Sequence, residues 1–226
     1  MVHVMTIFTK NIKNTLLGLI LGVFMSVPAY AGDDDLCAPF EDAKIDKSLL
    51  ATMLNAAKDG HLYRIKPDSS KMGFCINSPL GKVEAEFLSF KGGLALQDPK
   101  QQGTALVSID VDSLETDSAL IEAMLKGESF FDTEQFPEII FVSTGVEWIS
   151  DNKAVLKGDL TMHGITKAVA FYLDMKKAKN AQGEEILSVK ATTSIQRSEF
   201  GMYTLSPMVD DRVSLCMSID AYKYQS

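Results

Sequence analysis

Residues 127–143 read GESFFDTEQFPEIIFVS. Gly127 ends an apolar-striped segment, Phe130, Phe131 and Phe136 crowd the next ten positions, and Pro137 interrupts them. Glu138-Ile139-Ile140-Phe141-Val142-Ser143 then reads as a strand whose side chains alternate between two faces. The three phenylalanines follow neither helical nor strand spacing. They predict a packed loop, because so much contiguous apolar surface is seldom left in water.

Upstream, Asp117–Lys126 carries Leu120, Ile121, Met124 and Leu125 at helical spacing. Further out, short alternating segments dominate in both directions. They cover Leu62–Lys66, Lys71–Asn77, Lys82–Phe90, Leu94–Leu96 and Gly103–Val111 before the loop. After it come Glu138–Thr144, Gly145–Trp148, Ala154–Met162, Lys167–Met175, Ile186–Arg197 and Arg212–Tyr222, with a hairpin at Asn180–Glu184. Pro67–Ser70, Gly81, Gly92-Gly93 and Asp98-Pro99 read as breaks between them. A second helix is expected from Asp46, as its cap, to about Lys58, with Gly60 as the stop. Its apolar face of Leu49, Leu50, Met53, Leu54 and Ala57 should pack on the domain itself.

About ten short strands and two helices predict an all-β fold, an antiparallel sheet closed or nearly so. Alternation puts Met72, Phe74 and Ile76 on one face, with Val83, Ala85 and Phe87, and Val107, Ile109 and Val111. The same holds for Val169, Phe171 and Leu173, for Val189, Ala191, Thr193 and Ile195, and for Val213, Leu215, Met217 and Ile219. Either a sandwich core or a barrel lumen would produce this pattern. Ala85, Gly158, Ala191 and Thr193 stand where larger groups would fill a core. Two explanations stay open, a lumen left for a ligand or small residues placed opposite large ones.

The chain has 226 residues. Lys10 and Lys13 precede the apolar run Leu16–Val27, and Ala29-Tyr30-Ala31 offers a cleavage site. Residues 1–31 therefore read as a secretory signal peptide, residues 32–61 as an extension with the amphipathic helix, and residues 62–226 as the barrel domain. Loss of Lys10 and Lys13 takes the net charge from −8 to −10. That balance disfavours nucleic acid and anionic surfaces, and no later segment could stay inserted in a bilayer.

Cys37, Cys75 and Cys216 follow the leader, and an oxidising compartment permits one disulfide. Cys75 and Cys216 share the outward parity. If the strand at Leu62–Lys66 lies between theirs, they stand about two strand spacings, roughly 10 Å, apart, beyond the reach of a bridge. Cys37–Cys75 is then the favoured pair. No metal site is expected, since His61 and His163 lack ligand spacing to any cysteine. There is no G-x-S-x-G, H-E-x-x-H, P-loop or dinucleotide turn. A thiol enzyme lacks the basic neighbours that would activate its cysteine. His163, before Gly164, reads as a hydrogen-bonding turn residue.

The chain resembles the YceI-like family of polyisoprenoid-binding, lipocalin-like periplasmic proteins. The resemblance rests on Phe130-Phe131-Asp132 with Phe136-Pro137 and Ile140–Ser143, on Gly158–Lys167, and on Arg197-Ser198-Glu199-Phe200-Gly201-Met202. Tyr63, Ile65 and Pro67, Ser70, Gly73 and Phe74, and Val83, Ala85 and Phe87 agree as well. Where many members have R-D-x-H-L, this chain has Ile121-Glu122-Ala123-Met124-Leu125. The resemblance implies an extended eight-stranded antiparallel lipocalin-like barrel, with one or two short helices plus the extra N-terminal one. It implies a periplasmic carrier without catalysis, holding a polyisoprenoid, isoprenoid quinone or fatty amide. No cofactor is expected other than such a bound lipid. Homodimers occur among such barrels, though no stretch here marks an interface. The expected lumen lining is Phe74, Ile76, Phe87, Ile109, Phe141, Leu160, Phe171, Ile195 and Leu215, with Met124, Phe130 and Phe131 near one mouth. The competing expectation is a filled barrel that serves as a structural or stress-related interaction protein through its acidic surface.

Overall fold

The computed structural model describes residues 47–79, 81–97 and 102–224. The expected leader, the acidic lead-in with Cys37, the Asp46 cap and the Asp98-Pro99 turn lie outside the described residues. Two helices and eleven strands follow in order. They are α1 (Lys47–Lys58), β1 (Leu62–Ile65), β2 (Lys71–Ser78), β3 (Gly81–Phe87), β4 (Phe90–Gln97), β5 (Gln102–Asp110) and β6 (Leu114–Thr116). After them come α2 (Ala119–Lys126), β7 (Glu138–Trp148), β8 (Lys153–Met162), β9 (Ile165–Lys179), β10 (Glu185–Gln196) and β11 (Arg212–Lys223).

Every pairing is antiparallel, and eight strands close a ring in the order β1-β4-β5-β7-β8-β9-β10-β11, with β11 returning to β1. Closure removes the unpaired edges that an open sheet would expose. The long strand β11 spends its C-terminal half on β1, with Ile65 opposite Ala221. Its N-terminal half runs beside β2, with Phe74 opposite Leu215. From there β3 and β6 extend the wall. Bends separate β1 from β2 at the 3-10 turn Pro67–Ser69, β3 from β4 at Leu88-Ser89, and β5 from β6 at the 3-10 turn Val111–Ser113.

This arrangement corrects two expectations. The strand at Leu62–Ile65 does not lie between the cysteine-bearing strands. Pro67 bends the chain so that β1 and β2 follow the same partner end to end, and Cys75 pairs with Ser214 while Cys216 pairs with Gly73. The two cysteines are thus diagonal neighbours on one interval, and both are free thiols. The Cys37 half of the expected bridge lies outside the described residues.

The second correction concerns Gly92-Gly93, which sit inside β4 and not at a break. A Cβ on Gly92 would meet the Leu106 carbonyl oxygen at 2.4 Å, and one on Gly93 would meet Met53 at 3.3 Å. These glycines permit close packing across a strand, where they had read as a turn.

The core divides in two. The larger part lies on the inside of the barrel wall. The smaller lies outside it, where Met53, Ala56 and Ala57 of α1 cover Leu62, Ala95 and Leu106 on the outer wall. The helix therefore packs on its own domain, as its apolar face predicts.

Candidate functional site: an apolar cavity and its mouth

A cavity of about 520 Å³ occupies the barrel interior. Its wall is built by strand alternation, which sends every second side chain of β2, β5, β7, β8, β9, β10 and β11 inward. All twelve side chains expected to line a lumen reach it, namely Phe74, Ile76, Phe87, Ile109, Met124, Phe130, Phe131, Phe141, Leu160, Phe171, Ile195 and Leu215. Most are buried, while Met124 is 41% exposed at one end.

The exposed members of the lining define the mouth. They come from Pro79 after β2 and Gly81 and Lys82 at the start of β3, from Met124 on α2, and from Leu205 and Met208 in the 201–211 loop. Asn77 fastens that loop to the end of β2. Its carbonyl accepts from the Asp210 N–H at 3.1 Å, and its amide donates to the Asp210 carboxylate at 3.2 Å.

The 127–137 segment closes the wall between α2 and the barrel. The N–H groups of Phe131 and Thr133 donate to the carbonyls of Leu125 and Lys126, and Asp132 takes a left-handed φ of 48° to turn the chain. Phe131 is thereby driven between Phe74 of β2 and Phe87 of β3, at ring-centroid distances of 5.7 and 5.9 Å. The expectation of a packed loop is met, with two of its rings on the cavity wall.

Phe136 packs elsewhere. Its ring meets the edge of His163 at 4.7 Å and lies where any Cβ on Gly164 would come within 2.6 Å. His163 and Gly164 form a two-residue turn with φ of 50° and 71°, the left-handed pair that suits the twist of a tight hairpin. The His163 Nδ1 donates to the Phe200 carbonyl at 3.0 Å. A carbonyl can only accept, so this nitrogen carries the proton. Three separated sequence motifs thus meet at one packed knot beneath the barrel wall.

The small residues divide between the two explanations left open. Gly158 belongs to the packing one, because a Cβ there would lie 2.5 Å from the Phe141 ring and from the Val142 carbonyl. Phe141 itself packs edge-on to Phe171 at 5.2 Å. Ala191 faces the cavity directly. Thr193, opposite Leu215, lies off the lining.

Sequence reading missed Arg197. It is 4% exposed, lines the cavity, and donates only to backbone carbonyls. Nε bonds Asp210 at 3.0 Å, Nη1 bonds Met202 at 2.6 Å and Thr204 at 2.8 Å, and Nη2 bonds Val209 at 3.1 Å. These bonds hold the 201–211 loop over the mouth. The neighbouring Asp211 accepts from the Ser198 N–H and hydroxyl at 2.8 and 2.7 Å, which holds its carboxyl below the usual range.

Among the described residues no group of three or more His, Cys, Asp or Glu side chains converges to hold a metal. The molecule is a closed β-barrel around an apolar cavity. The profile of the YceI-like domain matches residues 63–221, and the chain belongs to that family.

A UPF0312 protein of Pseudomonas putida is 30% identical over 122 residues, which is 53% of this chain and 64% of that relative's length. A UPF0312 protein of Yersinia pestis is 27% identical over 211 residues, covering 92% and 97% of the two chains. Burkholderia cenocepacia BcnA superposes with a TM-score of 0.62 at 22% identity, over 69% of this chain and 98% of that one. A polyisoprenoid binding domain from Saccharophagus degradans, implicated in plant cell wall breakdown, gives a TM-score of 0.56 at 12% identity, over 71% and 98%. These likenesses establish the barrel.

Proposed function

We propose that this protein is an exported carrier that encloses the apolar chain of an amphiphile in its barrel, without transforming it. The observation that carries this reading is the cavity of about 520 Å³, within the size range of small-molecule sites, with its overwhelmingly hydrocarbon lining. A filled barrel working only through its acidic surface would have no use for such a space. Each CH₂ removed from water there contributes about 0.8 kcal/mol, so affinity needs few polar contacts. Membership of the YceI-like family and the polyisoprenoid-binding neighbour support a lipid-like ligand such as a polyisoprenoid, a quinone or a fatty amide.

The residues that would hold the chain are the twelve lining side chains named above. Phe74, Phe87 and Phe131 would flank the end nearest the mouth. Export rests on the leader-like residues 1–31, and cleavage after Ala31 would release the chain into the periplasm. N-terminal sequencing of protein from periplasmic extracts should begin at Gly32. The carrier reading is tested by purifying the protein from its native host and analysing organic extracts by mass spectrometry. A stoichiometric apolar compound is expected. Extracts with no such compound, together with no uptake of added lipid, would count against it.

A further inference from the structure

Resting on the carrier reading, the geometry points to Arg197 as the anchor of a ligand headgroup. The cavity would take an apolar chain that ends in an anionic oxygen acceptor, a carboxylate or a phosphate, and Arg197 would bond that end just inside the mouth.

A guanidinium carries five N–H donors and cannot shed its charge. Here four of the five are spent on the carbonyls of Met202, Thr204, Val209 and Asp210. The fifth, on Nη2, has no acceptor among the described residues. All four partners are neutral, and no carboxylate of the described residues forms an ion pair with this cation. Asp211, whose carboxyl is lowered further by the Arg197 charge without an ion pair, commits both carboxylate oxygens to Ser198, and Glu199, the nearest acid in sequence, is exposed.

A cation with so little exposure is ordinarily paired. This one lies on the wall of a cavity whose other buried lining groups are almost all apolar. Ile195, Met202, Val209 and Val213 line the same cavity with apolar surface, and burial of Arg197 limits the water that would otherwise weaken a charge-assisted bond. The competing cation at the mouth is Lys82, but it is exposed and already paired with Glu84. Arg197 is therefore the polar group best placed to tell one headgroup from another.

Decanoate, decyl phosphate and decanol share a chain and differ at the head. Binding of each to the mature wild-type protein is measured by calorimetry at fixed salt, and protein labelled with ¹⁵N-arginine reports the side-chain resonances of Arg64, Arg197 and Arg212. At least one anion should bind about 10- to 100-fold more tightly than decanol, the range of a hydrogen bond to a charged group. The same anion should move the Arg197 side-chain signals while decanol leaves them in place. The stronger of the two anions identifies the head as carboxylate or phosphate.

Equal affinity for all three, or an anion preference with the Arg197 signals unmoved, overturns the anchor and leaves the apolar carrier intact. No binding of any probe overturns both. In Arg197→Met the anion preference should vanish while decanol affinity persists. Should that variant fail to fold, the wild-type spectra decide alone.

Discussion

Tyr63 shows how a single buried hydroxyl can tie the barrel's closure to pH. Its ring is buried beside the β1–β11 seam, and its hydroxyl donates to the Glu185 carboxylate at 3.0 Å. Burial, reinforced by the negative carboxylate it bonds, pushes the phenol from its ordinary 10.0 up to about 12. The same hydrogen bond holds the Glu185 carboxyl below its ordinary 4.5. A raised folded-state pKa gives stability that is complete below pH 10 and fades as the pH climbs toward 12. A lowered one gives stability that is complete above pH 4.5 and fades in acid. The advantage of wild type over Tyr63→Phe, about 1 kcal/mol for such a bond, should therefore be a plateau between those limits, falling at both ends. Urea unfolding from pH 3 to 11 would check it, and a flat difference across that range would refute the assignment. Phe131 gives the second residue-scale prediction. Because its ring packs between Phe74 and Phe87, Phe131→Ala should cost roughly 3–5 kcal/mol of stability. A near-normal melting temperature with faster ligand loss would instead make the ring a gate. Met124, Phe130 and Phe131 lie on α2 and in the loop after it, but the nine strand positions were legible in the sequence, because a period of two assigns each strand residue to a side. Arg197 was not. At a strand end an arginine reads as solvated, and only the loop folding back over it places the guanidinium inside.

Among the elements, α1 is the most separable. It touches the barrel through Met53, Ala56 and Ala57 and covers a patch of outer wall that is otherwise apolar, with Ile140, Val142 and Tyr224 at its margin. Ala56 is 2% exposed, and a carboxylate there could neither be paired nor solvated without lifting the helix. Ala56→Asp should detach α1, leave the β-sheet circular dichroism intact, and expose the patch. Concentration-dependent self-association in analytical ultracentrifugation is the expected sign. A variant that associates no more than the wild type, with unchanged dye binding, would show that the helix is not the cover. The helix itself was legible from its spacing and the Gly60 stop, as were the other main elements within a few residues. Breaks were harder. Gly92-Gly93 resembles a turn in sequence, since a missing side chain signals equally well a bend or a close approach, and only the neighbouring strand and helix decide which. For β1 and β2 the difficulty was topological. Proline marks the bend at Pro67, but nothing local says that both halves follow one partner, and the strand expected between those of Cys75 and Cys216 is absent for that reason.

At the scale of the whole molecule the question is whether the interior is a space to be occupied or a core with imperfect packing, and the two answers differ in sign. Ala191 lies on β10, is 5% exposed, and faces the cavity. In a packed core, Ala191→Leu would force its neighbours off their rotamers at a cost of about 1–3 kcal/mol. In a cavity of this volume the larger side chain has room, so unfolding free energy should stay level or rise with the added apolar burial. The same substitution would then occupy part of the ligand's place. For the wild type, a ligand at a hundred times its Kd adds about 2.7 kcal/mol through mass action. In a barrel of this size that is on the order of 5–10 °C in Tm. Ala191→Leu should keep or exceed the ligand-free Tm and lose most of that ligand-induced rise, as read by differential scanning calorimetry with and without added lipid. A variant that unfolds early, and a wild type that gains nothing from lipid, would together return the barrel to the filled alternative. Preserved stability with an undiminished rise would place the chain on another part of the wall, away from β10, toward the cluster of Phe74, Phe87 and Phe131.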